Sequence, residues 1–259
     1  MTGLGTAPQA VKKSKLNFGP VSAIVVTLAV YFGAQIIAGY AIIQYLLIKG
    51  VNKDNIPSEV DGSVALQFFF ILLAEISALL LLWLFLRKRK ISWPRIGVKK
   101  PQWGKLFYAL PAYAVYFSII ALALALLQVF VPSVNVEQSQ QVGFETASGG
   151  SALFLVFLAL VALPAITEEI TVRGFLYSGL RTRLPFLTSA ILTSLIFGLA
   201  HLFGGKDNST VWTAAVDTLI LSMVLVYLRE KTGNIWAGVI VHITKNSLAF
   251  LTLFIFKPF

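Results

Sequence analysis

Apolar residues run through this chain in seven long stretches set apart by short polar breaks, at 21–48, 63–86, 106–131, 151–180, 186–203, 211–228 and 234–256. A helix needs roughly 20 apolar residues to cross the hydrocarbon of a bilayer. The pattern therefore predicts an all-α fold, a polytopic membrane helix bundle with about seven transmembrane helices. The fourth stretch is long and polar at its end; the fifth is short and can begin within the preceding loop.

A few polar positions break this rule. Both histidines of the chain lie deep in apolar surroundings, His201 after Phe197-Gly198-Leu199-Ala200 and His242 after Val239-Ile240-Val241. The fourth stretch carries Thr167-Glu168-Glu169-Ile170-Thr171-Val172-Arg173. An ionisable group at the centre of a bilayer costs about 2.5–3.5 kcal/mol on insertion scales, so these side chains require one another or a polar cavity between helices. Glu75 and Asp217 also lie in spans and are assigned to interhelical hydrogen bonds.

Composition agrees with the pattern: of 259 residues 57% are hydrophobic and 12% charged, with a mean hydropathy of +0.81. Soluble domains do not have that balance. The net charge of +10 would suggest nucleic acid if it lay in one basic groove. Instead it sits in the breaks between spans. Fifteen of the 21 Lys and Arg residues fall before the first span, between the second and third, between the fourth and fifth, and between the sixth and seventh. Four fall in the alternate breaks and at the C-terminal end, and Arg173 and Lys245 fall within helices. Basic residues stay cytoplasmic, so the N-terminus is expected in the cytoplasm and the C-terminus outside. The expected partner is the lipid bilayer, with no nucleic acid.

The first apolar run is too long for a secretory signal and reads as a retained helix. Cysteine is absent, which excludes thiol catalysis, thiolate metal sites and disulfides. The chain ends without a lipidation box. The expected organisation is a flexible cytoplasmic tail at 1–18 and a single transmembrane domain at 19–259. Trp93-Pro94 and Pro101-Gln102-Trp103 in the loop 87–105 suggest a turn and an amphipathic approach with indoles at the interface. The loop 132–150, rich in Ser, Gln and Gly and without a basic residue, fits an extracytoplasmic connection.

Helical phase divides the polar residues. Glu169 and Arg173 are four apart and share a face, whereas Glu168 is turned about a hundred degrees away. Arg173 is thus expected to hold Glu169 and leave Glu168 to face the centre. His242 and Asn246 share a face, and Phe197 and His201 repeat the spacing on a third helix. Counted from the cytoplasmic markers Arg181, Pro185 and Lys231, the three elements lie roughly 17–24 Å deep at about 1.5 Å per residue. One layer can hold them all.

The elements Glu168-Glu169-x-x-x-Arg173, Phe197-x-x-x-His201 and His242-x-x-x-Asn246 resemble the signature of the CAAX prenyl protease and bacteriocin-processing (CPBP) intramembrane proteases, also called the Abi family. Arg173-Gly174-Phe175-Leu176 and Thr232-Gly233-Asn234-Ile235-Trp236-Ala237 agree with it. The likeness is concentrated in 160–250, with a fainter echo at 93–100. The resemblance implies an intramembrane endopeptidase acting on a membrane-associated or prenylated substrate. Glu168 would be general base on a water that His201 helps to hold, and His242 and Asn246 would donate to the oxyanion. Glu169 and Arg173 would support them. General-base hydrolysis with fixed oxyanion donors asks for these residue types.

Other readings stay open at this stage. Glu168, His201 and His242 could ligate zinc as a His₂Glu set, although the helical His-Glu-x-x-His pattern is absent and no cofactor is expected. Glu169 with Arg173 could be a buried pair that only positions a helix, Asn246 could be packing glue, and Phe197 is expected to pack beneath the site. A proton-coupled transporter would also bury Glu and His, but no inverted repeat or matching pair of broken helices is found. A non-catalytic binding or sorting partner is the third function class.

Overall fold

A computed structural model describes residues 16–132, 138, 140–203 and 209–256. Among them the chain is helical, with one isolated antiparallel bridge between Phe203 and Thr210. Seven helices carry the fold: α1 (Pro20–Ile48), α2 (Val64–Lys88), α3 (Ala109–Phe130), α4 (Gly150–Leu180), α5 (Phe186–Ala200), α6 (Trp212–Thr232) and α7 (Trp236–Phe256). Six of the seven lie in helical stretches long and apolar enough to cross a membrane; α5, with 15 residues, is shorter. At about 1.5 Å per residue α5 falls short of the roughly 30 Å of hydrocarbon. The protein is an integral, multi-pass membrane protein.

The apolar surface is turned inside out relative to a soluble domain. Ile36, Tyr40, Phe117 and Phe130 point outward, as lipid contact requires. Inward, α1 packs along α2. Phe18 stacks on Phe175 at 4.7 Å and Phe85 meets Phe175 edge-on at 5.4 Å. Residues 1–15 of the expected tail lie outside the described residues, and Phe18, just inside its limit, is buried.

α4 is not a uniform α-helix. It opens into π-turns at Leu158–Ala162 and Glu169–Leu176, with Pro164 between them. Proline lacks the N–H that would serve the carbonyl four residues back, here Leu160. π-turns inside helices recur at functional sites, and this one carries Glu169 and Arg173.

Three basic-rich breaks meet at one end of the bundle. Gly97, at φ +88, turns the 93–100 segment so that its carbonyl accepts the Ile235 N–H at 3.2 Å. Asn234 Nδ2 donates to the Lys100 carbonyl at 3.0 Å and Trp236 Nε1 to the Lys99 carbonyl at 2.6 Å. Arg181 pairs with Glu230 at 2.7 Å, which raises its pKa above the usual arginine value. Asp217 sits within α6, where it accepts from the Tyr116 hydroxyl of α3 and pairs with Lys245 of α7 at 3.1 Å. The interhelical role expected for Asp217 is the one observed.

Candidate active site

Glu169 and Arg173 are fully buried side chains, joined across one turn of α4 by Arg173 Nη1 donating to Glu169 Oε1 at 2.9 Å. Breaking such a pair would leave an uncompensated buried charge, a cost of about 3–5 kcal/mol. The guanidinium also lies over the Phe197 ring of α5, 4.2 Å from its centroid. Arg173 thus ties α4 to α5 through Phe197, which the sequence had placed beneath the site.

The same carboxylate holds the second histidine. His242 Nδ1–H donates to Glu169 Oε1 at 3.2 Å. This fixes the ring, and its Nε2 faces Glu168 Oε2 at 3.7 Å, a charge contact rather than a hydrogen bond. His242 therefore lies between two adjacent carboxylates that point apart, as their hundred-degree separation requires. The Glu168 side chain is 26% exposed, against none for Glu169. Its Oε2 is itself buried and makes no hydrogen bond among the described residues, so it remains an unused acceptor.

Glycine at 238 makes this arrangement possible. A Cβ there would lie 2.7 Å from Glu169 Oε2, so any side chain one turn before His242 would displace the carboxylate. Helical spacing is the signal that marks it: Gly238 is four residues before His242 and so shares its face.

His201 departs from its expected setting. The helix predicted over 186–203 ends at Ala200, and His201 caps it with φ −100° and ψ 3°. The residue stands at a helix end rather than within a span. The break is local. The His201 N–H returns to the Gly198 carbonyl at 3.0 Å, and the Val211 N–H to the Leu202 carbonyl at 2.7 Å. His201 Nδ1–H donates to the Phe197 carbonyl at 2.8 Å. A carbonyl only accepts, so Nδ1 carries a proton, and in the neutral ring Nε2 is the acceptor. The imidazole lies tilted by 57° against the Phe197 ring at 4.6 Å between centroids, and His242 meets that ring edge-on at 6.1 Å. One phenyl ring thus gathers both imidazoles and the guanidinium.

Asn246 lies one turn past His242 and donates from Nδ2 to the Leu160 carbonyl at 3.1 Å. That is the carbonyl Pro164 leaves without its helical donor. Neither Pro164 nor Leu160 belongs to the motif, so sequence reasoning passed over them. The second N–H of the amide remains to be used.

The alternative zinc set of Glu168, His201 and His242 would bind through the imidazole Nε2 atoms, since each Nδ1 donates to an oxygen. Among the described residues no three His, Asp or Glu side chains are gathered as a metal requires. No step below is routed through a metal.

Residues 150–248 match the family described as type II CAAX prenyl endopeptidase, Rce1-like. No curated protein and no solved structure matches the chain. The matched stretch contains Glu168, Glu169, Arg173, His201, His242 and Asn246, together with Phe197 and Gly238.

Proposed function

We propose that the chain, whose residues 150–248 match the type II CAAX prenyl endopeptidase family, is a peptidase of the membrane that hydrolyses its peptide bond with a water activated by Glu168. The observation that carries this reading is the placement of His242 between Glu169, which holds its Nδ1, and the open carboxylate of Glu168.

Water bound between Glu168 Oε2 and His201 Nε2 gives its proton to Glu168 as its oxygen attacks the carbonyl carbon. His242 Nε2–H and the free N–H of Asn246 donate to the oxygen that becomes negative. The carbon–nitrogen bond then breaks, the electron pair goes to nitrogen, and Glu168 returns the proton to the leaving amine. Donation from both ring nitrogens, Nδ1 to Glu169 and Nε2 to the oxyanion, requires His242 to act as the imidazolium. Such fixed donors in a low-dielectric site are worth about 2.7–4 kcal/mol each in soluble enzymes. Glu169 and Arg173 position the rest. The substrate is a peptide segment of a membrane-associated protein, and the cleavage is reached from the cytoplasmic side.

The test is the purified protein cleaving a membrane-anchored peptide, with and without a prenyl group, after exhaustive chelation and a metal assay. Cleavage is expected to survive chelation. Glu168→Gln, which keeps the shape but cannot accept the proton, is expected to lower the rate by about three orders of magnitude or more with thermal unfolding unchanged. Activity that returns only with stoichiometric zinc would replace this mechanism with a metal site. Undiminished cleavage by Glu168→Gln would remove the base.

A further inference from the structure

α5 stops at Ala200, and a helix end leaves carbonyls without intrahelical donors. In a membrane protein such groups must find partners inside the protein. The partner here comes from a distant segment. Gln140 Nε2 donates to the His201 carbonyl at 2.8 Å and to the Phe203 carbonyl at 3.3 Å. Gln138 braces the other limb of the same turn: its Oε1 accepts the Trp212 N–H at 3.1 Å, and its carbonyl accepts the Thr213 hydroxyl at 3.1 Å.

The segment that carries these glutamines is itself anchored to α2. Gln67 Oε1 accepts the Phe144 N–H at 2.7 Å, while its Nε2 donates to the Asp61 carbonyl at 2.9 Å. The contact needs an unusual backbone. Phe144 has φ +64 and is buried. Gly143 has φ +72, and a Cβ there would lie 2.4 Å from Gln67 Oε1. A non-glycine residue in the left-handed region is uncommon and costly, and the burial of Phe144 with its hydrogen bond to Gln67 offsets it. This strap lies before residue 150, outside the stretch that matches the family.

We propose that Gln140 is a positioning residue for His201. It fixes the plane of the peptide that follows His201, and with it the direction in which the side chain leaves the backbone. The Phe197 carbonyl then fixes the ring through Nδ1. Together they aim Nε2 where the reaction holds its water. The proposal rests on the hydrolytic role of His201 given above.

Gln140→Met keeps length and removes the donor; Gln140→Glu puts a carboxylate against two carbonyls. Both are expected to lower kcat by roughly 10-fold or more, in the range of residues that orient a catalytic ligand, with KM within about twofold. Because the chain has only two histidines, imidazole ¹⁵N spectra of the histidine-labelled protein in detergent resolve each ring. The His201 signals are expected to shift or broaden in both variants while those of His242 stay in place, and the unfolding temperature is expected to hold. His201 signals unchanged from the wild type would overturn the proposal whatever the activity. So would equal disturbance of both rings, which marks a general loosening. If wild-type protein cleaves no substrate, the hydrolytic reading fails while the spectra still decide whether Gln140 sets His201.

Discussion

At the scale of the residue, Gly238 and Glu169 decide how the charge cluster sits. Glu169 Oε1 serves both Arg173 and His242, and Oε2 occupies the space a side chain at 238 would need. A methyl group there cannot be absorbed by a flexible chain end, because the carboxylate is held from two sides in a close-packed interior. Gly238→Ala is therefore expected to push Glu169 aside, loosen His242 and slow cleavage by about tenfold or more. Overpacking should also lower stability by about 1–3 kcal/mol. Parallel cleavage and thermal-unfolding assays check both. A wild-type rate in this variant would show that the carboxylate has room to spare.

At the scale of the element, the breaks in α4 matter more than its length. Pro164 withholds a donor from Leu160, and the Asn246 amide fills the place. The helix and the oxyanion donor are thus coupled through one carbonyl. Pro164→Ala would restore an N–H that competes with Asn246 for it. The expected result is a protein no less stable, with a gain bounded by the roughly 3 kcal/mol that separates proline from alanine inside a helix, but several-fold slower because Asn246 is released. Unfolding temperature and kcat measured together test this, and a destabilised variant with full activity would refute the coupling. α5 shows a further limit of reading helices from pattern. The apolar run continues through Leu202 and Phe203, so periodicity cannot mark an end at Ala200. No glycine or proline stands at the break. The chain turns there because distant donors, Gln140 among them, receive the freed carbonyls.

At the scale of the whole molecule, the basic residues assemble where they are useful for topology. The breaks around Lys99, Arg181 and Lys231 pack together, and Lys105 Nζ reaches the Thr232 carbonyl at 3.0 Å. Arg89 binds the carbonyl of Asn17 at 3.2 Å and draws the N-terminal approach to the same end. By the positive-inside rule that end is expected in the cytoplasm. The absence of cysteine makes the test direct. Lys100→Cys and Glu59→Cys lie at exposed positions. The first is expected to react with an impermeant thiol reagent only in inverted or opened membranes, the second from the outside of intact cells. The reverse pattern would invert the topology and move the route to the site.

The sequence by itself determined the membrane class, the positions of all seven helices to within a few residues and the set of motif residues. It did so because transfer of apolar side chains to lipid is a local property summed along the chain. The spacing of four is also local, and it foretold that Arg173 would hold Glu169 while Glu168 faced elsewhere. Only the tertiary structure decided which imidazole meets which carboxylate, since that depends on how α4 and α7 cross and on the missing side chain at Gly238. It also decided that Phe197 lies among Arg173, His201 and His242 rather than beneath them, and that His201 ends a helix. Those outcomes hang on hydrogen bonds between residues as far apart as Gln140 and His201, and no local pattern in the chain encodes a donor that distant.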